Sequence, residues 1–176
     1  MTGLRPPGPA MTGSARLPEG LALRPATPAD AGAIAALEAA AFARGKPAGS
    51  PATWAAHLRQ PATSGLVLVD SEGGMAGFCI WQEAAGEVEL LSIAVAPAWR
   101  HRGLGGFLLD SMTTICRSRG CRFVFLEVAE NNTAARKLYL SRGFVKTGRR
   151  RAYYRFSKES HKDAILMRLS LEERHG

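Results

Sequence analysis

The sequence predicts a single mixed α/β domain, and three features predict it. A strand runs straight into a helix near the start, three β-rich runs form a meander in the middle, and a strand, helix, strand crossover lies just past the centre. With 176 residues, 46% of them hydrophobic, the chain is long enough to bury a real core and short for two domains.

The first twenty residues, "MTGLRPPGPAMTGSARLPEG", are rich in Pro, Gly and small side chains without periodicity. They read as a flexible N-terminal extension, which leaves residues 21–176 as the domain. The stretch has no apolar core of a secretory signal. No run elsewhere approaches the ~18 apolar residues of a membrane span, so a cytoplasmic protein without membrane contact is expected.

"LALRPAT" alternates as a strand, and "PADAGAIAALEAAAF" follows as a helix with a cap-like Thr27, Pro28 at its first position and Ile34, Leu37 and Ala41 on its apolar side. A second helix is expected over "SPATWAAHLRQ". Next come "GLVLVD", "MAGFCIWQEA" and "EVELLSIAVAP", joined by connections short enough for hairpins, so the three are antiparallel. "GGFLLDSMTTICRSRG" places Leu108, Met112 and Ile115 at helical spacing and stops at Gly120. "CRFVFLEVA" reads as a strand buried on both faces, "TAARKLYLSRG" as a short helix ending at Gly143, and "AYYRF" with "DAILMRLSL" as a closing hairpin.

Charge is uneven. Up to residue 95 there are six Lys+Arg against eight Asp+Glu; beyond it, seventeen against seven. A basic second half suits an anionic partner, whether nucleic acid, ribosome or phosphorylated cofactor. Cys79, Cys116 and Cys121 have no C-x-x-C spacing and sit among apolar residues, so they read as reduced core thiols and no metal is expected.

The most informative stretch is "WRHRGLGGFLLD", from Trp99 to Asp110. Glycines after a strand and before a helix leave backbone N–H groups bare where a phosphate can sit, and the helix start adds partial positive charge. Gly103 and Gly105 allow close approach, while Arg100, His101 and Arg102 lie at the rim. An ordinary tight turn explains the same glycines. There is no G-x-x-x-x-G-K-[ST] and no G-x-G-x-x-G with an acid about 20 residues on, which disfavours a P-loop nucleotide site and a dinucleotide fold.

"RHRGLG" resembles the [RQ]-x-x-G-x-[GA] signature of the Gcn5-related N-acetyltransferases, and "ENNTAARKLYLSRGF" is similar to that family's second landmark. The similarity spans Leu21 to about Leu171 and is densest toward the branch that acetylates the N-terminal alanine of ribosomal proteins. It implies a largely antiparallel twisted sheet of six to seven strands, split in a V between the fourth and fifth, with about four helices. It implies acetyl-CoA as co-substrate, lying in the V beside Ile93, Ala94 and Val95, with its diphosphate on His101, Arg102, Gly103, Leu104, Gly105 and Gly106 and its further length near Asn132. The implied partner is the N-terminal peptide of a ribosomal protein, with no direct nucleic-acid role.

Acyl transfer to an amine needs a base, because an α-amine with a pKa of about 8 attacks only when neutral. Glu127 shares a strand face with Phe123 and Phe125, an apolar setting that raises a carboxylate's pKa, and the family match gives it the base role. A salt bridge to an arginine is the plain alternative for such a residue. Tyr139 matches the tyrosine that protonates the departing sulfur; a packed core aromatic is the alternative. Glu89, on one face with Leu91 and Ile93, is the reserve base. The sequence departs from the branch at Ala129, where Arg is usual, and at "RRRAYYRF", which leaves acceptor choice open and puts Tyr153 and Tyr154 beside the acceptor groove or simply on the sheet. Acetylation of a polyamine, an aminoglycoside or a lysine by the same fold is the enzymatic alternative. A basic RNA- or ribosome-binding module built on "GRRRAYYR" is the non-enzymatic one.

Overall fold

The computed structural model describes residues 16–42, 48–155 and 161–173. Its strands are β1 (Leu21–Pro25), β2 (Thr63–Asp70), β3 (Met75–Ala84), β4 (Glu87–Val95), β5 (Phe123–Ala129), β6 (Val145–Arg155) and β7 (His161–Ser170), and its helices α1 (Ala31–Ala41), α2 (Pro51–Arg59), α3 (Leu104–Ser118) and α4 (Thr133–Ser141). All seven strands form one sheet in the order β1-β2-β3-β4-β5-β7-β6. Every pairing is antiparallel except β4 with β5, which the α3 crossover makes parallel. This is the expected mixed architecture with the expected number of helices.

Local chemistry accounts for the element ends. Ser50 caps α2 by accepting the Thr53 N–H at 3.1 Å, with Pro51 at the first position. The β3–β4 hairpin turns on Ala85 (φ 52°) and Gly86 (φ 79°), the paired positive φ of a two-residue turn matched to strand twist. The first helix opens with a 3-10 turn, Pro28–Asp30, rather than as α-helix from Pro28. Leu17, inside the stretch expected to be an extension, already packs against the core.

Asp30 ties that start down. Its carboxylate accepts both ends of the Arg24 guanidinium, at 2.8 and 2.7 Å, and the Thr27 N–H at 2.8 Å. Bonding to Arg24 holds its pKa below the ordinary value of 3.8. Because the folded-state pKa is the lower one, this stabilisation is complete above the unfolded value and is lost as pH falls through the folded one. Asp30→Asn is expected to cost about 1–2 kcal/mol at pH 7, discounted for the solvent on Arg24. Urea titrations should find the deficit shrinking below pH 4; a deficit constant down to pH 2.5 would assign it to packing.

Two cores flank the sheet. On one face α3 and α4 cover Trp81, Val124, Phe144 and Met167 with Leu108 and Met112; on the other α1 and α2 cover Val67, Phe78 and Ile80 with Ile34 and Trp54. β5 departs from expectation. Val124, Leu126 and Val128 are buried, but Phe123 and Phe125 are half-covered and Glu127 is exposed, so the strand is buried on one face only.

The feature that positions the site is a bulge in β4. Ile80 pairs with Ser92 but Trp81 with Leu90, so Leu91 is extra. The inserted residue breaks the alternation: Leu91 and Ala94 turn to the α1/α2 core, Ile93 to the α3 core. Glu89, paired with Gln82 before the bulge, therefore shares a face with Leu91 but not with Ile93, which corrects the period-two reading. Beyond the bulge β4 and β5 part company. Their ladder is three pairs long, Glu87–Phe123, Val88–Val124 and Glu89–Phe125.

Candidate active site

Where the ladder stops, a cleft of about 540 Å³ opens. Leu90 to Val95 form one wall and Leu126 to Ala129 the other; Ala41 and Phe42 at the end of α1, Gly105 in α3 and Leu138 and Tyr139 in α4 complete it. Of the residues singled out from sequence, Ile93, Ala94, Val95, Gly105, Glu127, Asn132 and Tyr139 line this one cleft.

The loop into α3 is built as a backbone cradle. Gly103 caps the helix at φ 76°, a left-handed conformation that suits glycine. The first bond within the helix is Phe107 N–H to the Gly103 carbonyl at 3.0 Å, so the N–H groups of Leu104, Gly105 and Gly106 precede it and point out of the helix start. The side chains are less available than the sequence suggests. Leu104 is buried in the core, and the Arg102 guanidinium lies 4.8 Å over the Trp99 ring. His101 is exposed, with φ 62°. Over Gly106 lies the Arg142 guanidinium, whose Nε donates to Asp110 Oδ1 at 3.0 Å; a Cβ at 106 would push this side chain aside. Nothing in the sequence joins positions 106 and 142; only the α3–α4 packing does.

Asn132 is committed locally, its Oδ1 capping α4 by accepting the Ala135 N–H at 3.2 Å. Tyr139, 6% exposed, projects from α4 with its ring 5.6 Å from that of Phe144. Glu127 has a charged neighbour rather than the expected apolar setting. Its Oε1 accepts from Arg150 Nη1 at 2.8 Å, and its side chain is 34% exposed. This is the arginine pairing that the sequence left open.

The arginine run is likewise absorbed. Residues 149–151 lie in β6, and Arg149 bridges Glu130 (2.7 Å) and Asp163 (2.9 Å). With Arg149 and Arg150 both facing carboxylates, the run is not a free cationic loop, which removes the main feature of the RNA-module reading. The side chains of Tyr153 and Tyr154 lie outside the described residues.

Cys79 is fully buried against Met112, as expected of a core thiol. Cys116 and Cys121 are not in purely apolar surroundings, because both face the Glu83 carboxylate, at 4.0 and 3.9 Å. Burial pushes the Cys116 thiol up to about 12. Glu83, Cys116 and Cys121 are the described residues whose ligand atoms cluster closely enough for a metal, but Glu83 already accepts from Arg119 (2.5 Å) and Trp81 (3.0 Å). Among the described residues, no helix is long and apolar enough to cross a membrane.

Phe42, Leu91 and Ser92 in the cleft were not foreseen from sequence. The β4 bulge that places Leu91 and Ser92 leaves no mark in composition, and Phe42 arrives with the end of α1.

Known proteins resemble this chain in sequence and fold. The chain is 41% identical over 97 residues to the [ribosomal protein bS18]-alanine N-acetyltransferase of Salmonella typhimurium, a match covering 55% of this chain and 65% of that one, just under two thirds of its length. It is 38% identical over 149 residues to the N-alpha-acetyltransferase RimI of Mycobacterium tuberculosis, covering 81% and 87%. The crystal structure of the ribosomal-protein-S18-alanine N-acetyltransferase from Escherichia coli superposes with a TM-score of 0.76 at 30% identity, over 87% of this chain and 95% of that one. The family model for the acetyltransferase (GNAT) family matches residues 32–144. With the split sheet, the cradle and these matches together, the chain belongs to the GNAT acetyltransferase family.

Proposed function

We propose that this chain transfers the acetyl group of acetyl-CoA to the N-terminal α-amine of a protein, with a ribosomal protein in the cytoplasm as the first acceptor to test. The observation that carries the reading is the early end of the β4–β5 ladder at Glu89–Phe125, which leaves a cleft bordered by Glu127 on one side and Tyr139 on the other. The names of the relatives support the acceptor.

The residues present suit the co-substrate. The N–H groups of Leu104, Gly105 and Gly106 at the start of a fifteen-residue helix offer a diphosphate preorganised donors. The edge of Ile93–Val95 away from β3, beyond the end of the β5 ladder, offers backbone groups to an extended, amide-bearing arm, and His101 and Arg102 belong to the turn just before α3. Acetyl-CoA supplies a thioester, an acyl group already activated toward amines.

The chain's own groups would then manage two protons. The amine nitrogen forms a bond to the acetyl carbon as the carbon–sulfur bond breaks; Glu127 takes the proton lost by nitrogen, directly or through water, and the Tyr139 hydroxyl gives one to sulfur. Arg150 gives the Glu127 carboxylate a cationic partner, and Tyr139, nearly buried, delivers its proton away from bulk water.

Glu127→Gln removes the proton acceptor while keeping shape. It is expected to flatten the alkaline-rising limb of the kcat/KM profile against pH; an unaltered limb would move the base role elsewhere, Glu89 first. The overall reading is tested by incubating the protein and acetyl-CoA with an Ala-starting ribosomal N-terminal peptide, internal-lysine peptides and a polyamine, and locating the added acetyl group by mass spectrometry. Acetylation of the α-amine is expected. Modification of lysine or polyamine alone would overturn the acceptor assignment, and no transfer to any amine would overturn the activity.

A further inference from the structure

A carboxylate that the chemistry above does not use lies almost wholly inside the protein. Glu38, on α1, is 1% exposed, and its two oxygens take donors from three separate parts of the chain. Oε1 accepts the backbone N–H of Gly49 (2.5 Å) and the indole N–H of Trp54 in α2 (3.3 Å); Oε2 accepts the hydroxyl of Ser92 in β4 (2.5 Å). A buried carboxylate is costly unless its lone pairs are met, and here two oxygens meet three donors.

The location of these donors gives the arrangement its meaning. Ser92 stands next to Leu91, the inserted residue of the bulge, and both line the cleft. Gly49 lies flat on the Trp54 indole, where a Cβ would come within 2.5 Å of Nε1. The Glu38 backbone carbonyl accepts the N–H of Phe42, another lining residue. One side chain and its own carbonyl thus hold the bulged strand, the end of α1 and the start of α2 in a single geometry.

We infer that Glu38 is a positioning residue for the acceptor: through Ser92 and Gly49 it fixes the bulged wall of the cleft against the end of α1. The inference rests on the acetyl-transfer reading. The Glu38 side chain reaches β4 at Ser92 and bonds neither the Ile93–Val95 edge nor the start of α3, the two parts offered to acetyl-CoA, so acceptor and acetyl-CoA parameters should respond differently. A displacement of the order of 1 Å at an oriented site costs up to about a hundredfold in rate.

The test compares Glu38→Leu, Ser92→Ala and Glu38→Gln with the wild-type chain, measuring KM for the acceptor peptide, KM for acetyl-CoA and amide hydrogen exchange. Ser92→Ala cuts only the link to β4 and carries the experiment if Glu38→Leu, which strands three buried donors, does not fold. Glu38→Gln keeps an oxygen for Gly49 and Trp54 and an amide for the Ser92 hydroxyl to accept from, so it is the conservative rescue. Expected are a rise in acceptor KM of about five- to fiftyfold in Glu38→Leu and Ser92→Ala, acetyl-CoA KM within about twofold, and recovery to within about threefold in Glu38→Gln. Exchange at Leu91 and Ser92 should quicken in the first two, while Ile93–Val95 and α3, the parts offered to acetyl-CoA, stay protected. Loss of stability with an unchanged acceptor KM, or equal rises in both KM values, would overturn the positioning role alone. A wild-type chain that acetylates no amine would overturn the activity and this role with it.

Discussion

Tyr139→Phe is expected to lower kcat by roughly ten- to a thousandfold while leaving acetyl-CoA affinity within about twofold. The ring keeps its place. It is 6% exposed and tilted 56° against Phe144, contacts that phenylalanine preserves, so the substitution removes one oxygen and almost no packing. The stability cost should be about 1 kcal/mol, the worth of one hydrogen-bonding hydroxyl. The departing thiolate gains most from a proton donor when solvent is excluded, and the proposed role asks this of a tyrosine on a short capped helix that lines the cleft. Steady-state kinetics with saturating acceptor would measure the drop, and a thermal-shift titration with acetyl-CoA would confirm that binding survives. Turnover near the wild-type value would remove Tyr139 as the acid and leave it a core aromatic.

The same residues explain why much of this protein could be read before it was seen. Strand and helix identities follow from period-two and 3.6-residue patterning, and the α3 start follows from glycine placement, because these are local consequences of backbone chemistry. Contacts distant in sequence were not legible. Arg150 meets Glu127 across β7, between strands whose register only the folded sheet defines. Arg142 fills the space over Gly106 for the same reason. The β4 bulge is a one-residue slip with no compositional sign, and it misdirected the reading of Glu89 and Ile93 because a period-two argument fails at an inserted residue. Glu38 did carry a signal. It sits four residues after Ile34 and three before Ala41, on the apolar stripe of α1, where an acid must find donors or stay in water. The rule that a polar residue on a buried face needs an explanation would have singled it out.

Gly103→Val is expected to raise KM for acetyl-CoA by about ten- to a hundredfold, with kcat at saturation changed only a fewfold. A clash cannot be the cause, since a Cβ at this position meets nothing within 4 Å. The backbone is the cause. At φ 76° a β-branched residue costs about 1–3 kcal/mol, and the loop relieves that strain by rotating out of the left-handed region. Such a rotation re-aims the N–H groups of Leu104, Gly105 and Gly106, on which the proposed diphosphate site depends, while Glu127 and Tyr139 stay on β5 and α4. Gly103→Asn separates geometry from bulk, because asparagine tolerates left-handed backbone. It should keep KM for acetyl-CoA within about fivefold although its side chain reaches further from the backbone than that of valine. Inhibition by adenosine 3′,5′-bisphosphate carrying a second 5′-phosphate, the diphosphate end of coenzyme A without its thiol arm, should weaken in parallel with the rise in KM. If the valine variant bound acetyl-CoA and this fragment as tightly as the wild-type chain, the turn before α3 would be an ordinary bend and the diphosphate would have to lie elsewhere on the molecule.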